Sequence, residues 1–229
     1  MTTSGSTRGD KTVNAHSRTM VAALQMSLDG YIQGPNGEVD WVDGWNDALD
    51  LLSDVDAAVI GGGTYPGYEQ LWGSIAAEPQ RGTAMLGREP TAGEVEYARW
   101  TQRTPHYVLS TTLNEVNVET ARLVRDVGEL RSLKKQSGGA IYVIGGASLV
   151  STLLNEHLID ELRLIVHPNI LGGGKALFAA VKPRTLELVQ SKSERSGLVV
   201  LMYRCEHGTA EQSDPSKLAH DSRSAQRGS

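Results

Sequence analysis

Residues 140–155 read AIYVIGGASLVSTLLN. An apolar, β-branched run stops at a glycine pair and passes directly into a stretch of good helix formers, so the spacing predicts a strand over 140–144 and a helix over about 147–155. That unit belongs to an α/β sheet. It also leaves free N–H groups and a positive dipole end just behind Gly145 and Gly146, where backbone can approach a ligand closely.

The same grammar recurs on either side. Ala57 to Ile60 is a short strand ending in Gly61-Gly62-Gly63, with Thr64 as a helix cap and Pro66 in the first turn. His106 to Leu109 ends at Ser110-Thr111-Thr112, and Met20 to Gln25 ends at the turn Ser27-Leu28-Asp29-Gly30. Tyr31-Ile32 restarts extended chain before the Gly34-Pro35-Asn36-Gly37 turn. Trp45, Ala48, Leu49 and Leu52 recur at helical spacing, and Val127 to Gln136 reads as a further helix. Leu162 to Val166 is a strand that breaks at His167-Pro168 and meets Gly172-Gly173-Gly174. Leu186 to Ser191 and Leu198 to Tyr203, joined by polar residues, form an antiparallel hairpin. The fold class is α/β, a mostly parallel sheet flanked by helices with an antiparallel C-terminal hairpin.

The chain has 229 residues, 39% hydrophobic and 21% charged, with one cysteine, Cys205. No internal disulfide is possible, so a reducing cytoplasm is the expected compartment, and Cys205 reads as a small buried hydrophobe. Residues 1–18 and 207–229 are polar and aperiodic and read as flexible tails, leaving 19–206 as one domain. The net charge is −5, and residues 19–80 hold ten acids but no Lys or Arg. Such a surface repels a polyphosphate backbone, which speaks against nucleic acid as partner.

Three strands thus end in glycine clusters, at 61–63, 145–146 and 172–174, and the expectation is that these converge on one cleft outside the carboxyl ends of the strands. None matches a P-loop or the full GxGxxG fingerprint. Asp29 lies in a turn after a buried strand, where it is either a working carboxylate or an Asx-turn residue. Trp41, Trp45, Tyr65, Tyr68 and Trp72 concentrate aromatics in one stretch, as core or as flanks for a planar heterocycle, with Trp41 and Tyr65 foremost. His167 reads as a packing or supporting residue.

In order, VAALQMSLDGYI (21–32), AAVIGGGTYPGY (57–68), HYVLSTTL (106–113), AIYVIGGASLVSTLL (140–154), LRLIVHPNILGGGKALF (162–178) and the terminal hairpin resemble the dihydrofolate reductase superfamily. They look most like its branch formed by the C-terminal reductase domain of bifunctional riboflavin biosynthesis proteins. The resemblance implies an NADPH-dependent reductase that transfers hydride to a small planar heterocycle, a riboflavin-pathway pyrimidine or a pteridine. It implies a homodimer as well. Ile144, Gly145, Gly146, Ala147, Ser148 and Leu149 then resemble the turn and helix start that hold the diphosphate, and Ser110 and Thr111 the hydroxyls near the adenosine phosphate. Gly61, Gly62, Gly63 and Thr64 look like the family's "GR-x-T" turn, Ser27, Asp29 and Gly30 like the loop beside the nicotinamide, and Gly172 and Gly174 like a turn lining the cleft on the substrate side. Counting back from Gly61 makes Asp47 the counterpart of the first-helix acid. Where the family carries an arginine this chain has Gly62, and Thr111 stands where riboflavin-branch members often carry a base. A 2′-phosphate therefore needs a cation from elsewhere, with Arg81, Arg88 and Lys175 as candidates. NADH preference, or a binding protein without catalysis, are the alternatives.

Overall fold

Successive residues of the central strands bury on opposite faces of one sheet, as continuous apolar runs require when helices cover both sides. The computed structural model describes residues 17–42, 51–81, 86–116, 119 and 121–206. Strands β1 (Met20–Ser27), β3 (Val55–Gly61), β4 (His106–Leu109), β5 (Ala121–Val124), β6 (Ala140–Gly145), β7 (Glu161–His167), β9 (Leu186–Ser193) and β10 (Val199–Cys205) form one sheet in the order β5-β4-β3-β6-β1-β7-β10-β9. The first six are parallel, while β10 runs antiparallel to both β7 and β9. Strands β2 (Tyr31–Gln33) and β8 (Lys175–Ala176) pair in a separate small ribbon.

Helices α3 (Val127–Lys134) and α4 (Ala147–Asn155) cover one face, where Leu130, Leu149, Val150 and Leu153 pack on Met20, Ala22, Val59 and Val143. On the other face α1 (Tyr65–Ala77) and α2 (Ala92–Arg103) bring Trp72, Ile75, Tyr97 and Trp100 together with Val21, Ala23 and Ala58. The expected parallel sheet and terminal hairpin are therefore present, and Cys205 is buried with its thiol pushed up to about 11 by desolvation. Of the helix expected around Trp45 to Leu52, residues 43–50 lie outside the described residues. Leu51 to Asp54 form a turn closed by the Asp54 N–H donating to the Leu51 carbonyl at 3.2 Å.

Helix α2 has no counterpart in the sequence reading, although its start is spelled out by Thr91 and Glu94. The Thr91 hydroxyl accepts from the Glu94 N–H and the Glu94 carboxylate accepts from the Thr91 N–H, a reciprocal capping box. Arg88 donates to both Glu94 oxygens at 2.8 Å, and the Glu94 side chain is 0% exposed. These paired bonds from Arg88, with the Thr91 N–H, hold the Glu94 carboxyl at about 2, below its ordinary 4.5. Because the folded value is depressed, the stabilisation is present above the unfolded value and is lost as pH falls toward 2. Glu94→Gln should lower stability by about 2 kcal/mol at neutral pH. Urea titrations between pH 7 and pH 3 should show wild type and variant converging as acid is added; a constant difference would deny the carboxylate that role.

Candidate active site

The chain leaves β3 for α1 on one face of the sheet and leaves β6 for α4 on the other, although the two strands are neighbours. Departure in opposite directions opens a crevice at their carboxyl ends, the switch point where open α/β sheets bind ligands. Gly61 lies there against the Gly145–Gly146 turn, such that a Cβ on Gly61 would sit 3.7 Å from the Gly145 carbonyl oxygen and 3.9 Å from the Gly146 nitrogen. Gly145 has φ +124°, which side chains seldom adopt, and its peptide bond to Gly146 is cis. Gly146 is the N-cap of α4 and Thr64 that of α1. Neither helix start has a side-chain cap or an acid in its first turn. Their first N–H groups are therefore available to an anion.

Ala147 and Leu149 are buried and anchor α4 to the core, Ile144 is half-buried beneath the turn, and Ser148 is exposed on the first helical turn. A Cβ on Gly146 would lie 3.2 Å from Thr64 Oγ1 and 3.8 Å from Lys175 Nζ. The first two glycine-rich segments thus meet, whereas Gly173 and Gly174 lie against Pro35, Gln33 and Gly34, and only the side chain of Lys175, the next residue, is near Gly146.

The end of β4 explains the missing arginine. Ser110 Oγ accepts from the N–H groups of Thr112 and Leu113 at 3.2 and 3.0 Å, a local turn that fixes its side chain. A Cβ at position 62 would run into that side chain, with Ser110 Cβ at 2.5 Å, so glycine is required here for space. Ser110 consequently spends its acceptor capacity within its own loop, whereas Thr111 is exposed. The cation beside this loop is Arg125, whose Nη1 donates to the carbonyls of Ser110 and Leu113 at 2.9 and 2.6 Å. Sequence reasoning missed it because it follows β5, a short strand that carries no turn signal of its own. Arg81 and Arg88 are engaged elsewhere, with Glu78 and Glu94.

At the ends of β1 and β7, Ser27 is 0% exposed; its hydroxyl donates to Asp29 Oδ1 at 2.7 Å and accepts from the Tyr31 N–H at 3.0 Å. Asp29 also accepts from the N–H groups of Leu171 and Gly172 at 3.2 and 2.8 Å. The Ser27 bond foremost, with the backbone donors, pulls this exposed carboxyl below its ordinary value. Asp29 therefore ties the β1–β2 loop to the glycine-rich turn, where Gly172 has φ +69°, and it stays an acceptor at neutral pH. Gly174, φ +121°, presses its backbone on Gln33 and Gly34. Trp41 is half-buried with its ring edge-on to His167, 5.2 Å between centroids, and the His167 Nε2–H donates to Gln25 Oε1 at 2.8 Å. Tyr65, expected to flank a ligand, is 4% exposed and packs with Ile60 and Val108. It also lines a cavity of about 20 Å³ with Tyr68, Trp72 and His106, room for one water and too small for a heterocycle. Gly63 has open space about it, and Asp47 lies outside the described residues.

Gly62→Ala should cost about 1–3 kcal/mol by overpacking, and it should cost almost nothing further in a Ser110→Gly background. Urea unfolding of the four proteins checks this. Additive losses would mean that Ser110 is not what excludes a side chain at position 62.

Residues 18–201 match the RibD C-terminal domain family model. The uncharacterized protein YyaP of Bacillus subtilis (strain 168) is 35% identical over 197 residues, covering 84% of this chain and 97% of that protein. Among solved structures, a candidate riboflavin biosynthesis protein from Shewanella sp. PV-4 is similar at a TM-score of 0.59 and 23% identity, over 82% of this chain and 99% of that one. Dihydrofolate reductase from Enterococcus faecalis, complexed with NADP(H), is similar at 0.51 and 14%, over 81% of this chain and 95% of that one. The crevice between β3 and β6 thus sits in a dihydrofolate reductase-like fold, and the chain belongs to the RibD C-terminal domain family.

Proposed function

We propose that the chain is an NADPH-dependent reductase acting on a small planar heterocycle of the pyrimidine or pteridine kind. The observation that carries this reading is the crevice itself: two uncapped helix starts and glycines with no Cβ in the way, a cradle shaped for a diphosphate. The residues present fit that group. Gly146, Ala147 and Ser148 would offer backbone N–H groups, and Thr64 a hydroxyl. Arg125, beside exposed Thr111, supplies a positive charge where Gly62 cannot, which favours the phosphorylated cofactor over NADH.

When bound, the reduced nicotinamide would supply the hydride; the protein's share is placement. The Ser27–Asp29 hydrogen bonds fix the loop at the carboxyl end of β1, and Asp29, held ionised, works by joining that loop to the Gly172 turn rather than as a proton donor. Trp41, set against His167, gives a half-buried aromatic surface at the same end of the sheet. Membership of the RibD C-terminal family and the likeness to a riboflavin biosynthesis protein support the pyrimidine over the pteridine.

Calorimetric titration of the full chain with NADPH and NADH tests the reading. Gly146→Val should weaken both nucleotides at least about tenfold by filling the cradle, while Arg125→Gln should weaken NADPH alone by about tenfold. A wild-type protein that binds neither nucleotide at millimolar concentration would overturn the reductase. Equal affinity for both, unmoved by Arg125→Gln, would favour a reductase indifferent to the 2′-phosphate.

A further inference from the structure

We propose that Lys175 is the residue that neutralises the cofactor's diphosphate, delivered to the α4 N-terminus by the β2–β8 ribbon. The inference rests on the reading of the crevice as a dinucleotide site and assigns it a charge that the helix starts alone do not provide.

Position 175 is held from three directions. Before it, Asp29 binds the N–H groups of Leu171 and Gly172. Beside it, Lys175 pairs with Gln33 across the ribbon, and Gly174 presses on Gln33 and Gly34 so closely that any side chain there would collide with backbone. After it, the Leu177 N–H donates to the Gly30 carbonyl at 2.9 Å and the Leu177 side chain is fully buried in the core. The backbone at 175 is thus fixed against the β1–β2 loop, and its side chain reaches across to Gly146, with Nζ 3.8 Å from the Cβ position there.

That placement is electrostatically odd for a protein without ligand. Cations are unfavourable at a helix N-terminus, where the dipole is already positive, and α4 has no acid in its first turn to compensate. Among the described residues Lys175 makes no ion pair and no hydrogen bond, although the first part of the chain is rich in carboxylates. Glu38, which folds back on Gly34 near the ribbon, is occupied by the N–H and side-chain amide of Asn36. Among the described residues, an ammonium, a hydroxyl and unsatisfied helix N–H groups face one spot, and no ion pair brings a carboxylate to that ammonium. A bound diphosphate turns that repulsion into attraction, with charge-assisted bonds from Lys175 and backbone bonds from α4.

The assignment has a signature that separates Lys175 from Arg125. The diphosphate is common to both nucleotides, so Lys175 must act on NADPH and NADH alike. Calorimetric titrations of the full chain with each nucleotide, across a range of salt concentration, read this directly. Lys175→Met should weaken both by a similar factor of roughly 10 to 100 and flatten the salt dependence of binding, while Lys175→Arg should retain most of the affinity. Melting without nucleotide should not fall, because the side chain is exposed, makes no ion pair among the described residues and is repelled by the helix start. Wild-type affinity in Lys175→Met, or a loss confined to NADPH, would overturn the assignment and leave the reductase standing. Wild-type protein that binds neither nucleotide would overturn both.

Discussion

Gly61 and the Gly145–Gly146 turn lie against each other, within van der Waals reach, at the ends of two parallel strands. This close approach follows from the topology. Strands β3 and β6 are neighbours whose helices cover opposite faces, so their outgoing turns must pass within van der Waals reach before separating. At this contact the start of α4 is brought next to the start of α1, with Gly146 facing Thr64. Backbone donors from two elements then address one small volume. The apolar faces of α1 and α4, buried on opposite sides of the sheet, hold that arrangement in place.

The acidic first half of the chain makes the placement of its cations informative. Two cations of the second half adjoin these strand ends: Arg125 after β5, fastened to the Ser110–Leu113 loop, and Lys175 on β8, whose Nζ lies 3.8 Å from the Cβ position of Gly146. Arg81 and Arg88 are spent elsewhere, Arg88 on a buried carboxylate that caps α2. Glycine at position 62 is matched to Ser110, whose side chain fills the space a Cβ would need. Glycine after β3 and the cation after β5 thus adjoin the same Ser110–Leu113 loop at the end of β4, the strand between them.

The sequence made the parallel core legible because its strands are continuous apolar runs punctuated by glycine. The strand at His106–Leu109 and the helix at Ala147–Asn155 fall where the pattern puts them. Helix α2 is hard to read because AGEVEYARWTQR mixes charges with buried aromatics, so its Thr-x-x-Glu start is its one clear local signal. Strands β5 and β8 are too short for periodicity to register. The glycine clusters were readable as a cradle, yet the partners of Asp29 and the contact between Gly62 and Ser110 join residues far apart in the chain. Only folding brings them together. Tyr65 looked like a ligand-flanking aromatic because it follows the Gly61–Thr64 turn, but as the first residue of α1 it turns inward onto Ile60 and Val108.

The central claim is that the crevice between β3 and β6 is built around a dinucleotide's diphosphate. A crystal structure of the protein with NADPH tests it most directly. The account predicts the diphosphate at the N-terminus of α4, accepting from the N–H groups of Ala147 or Ser148, with Thr64 Oγ1 and Lys175 Nζ within hydrogen-bond distance. A nucleotide bound elsewhere, or one whose diphosphate lies beyond reach of the α4 N-terminus, would contradict it.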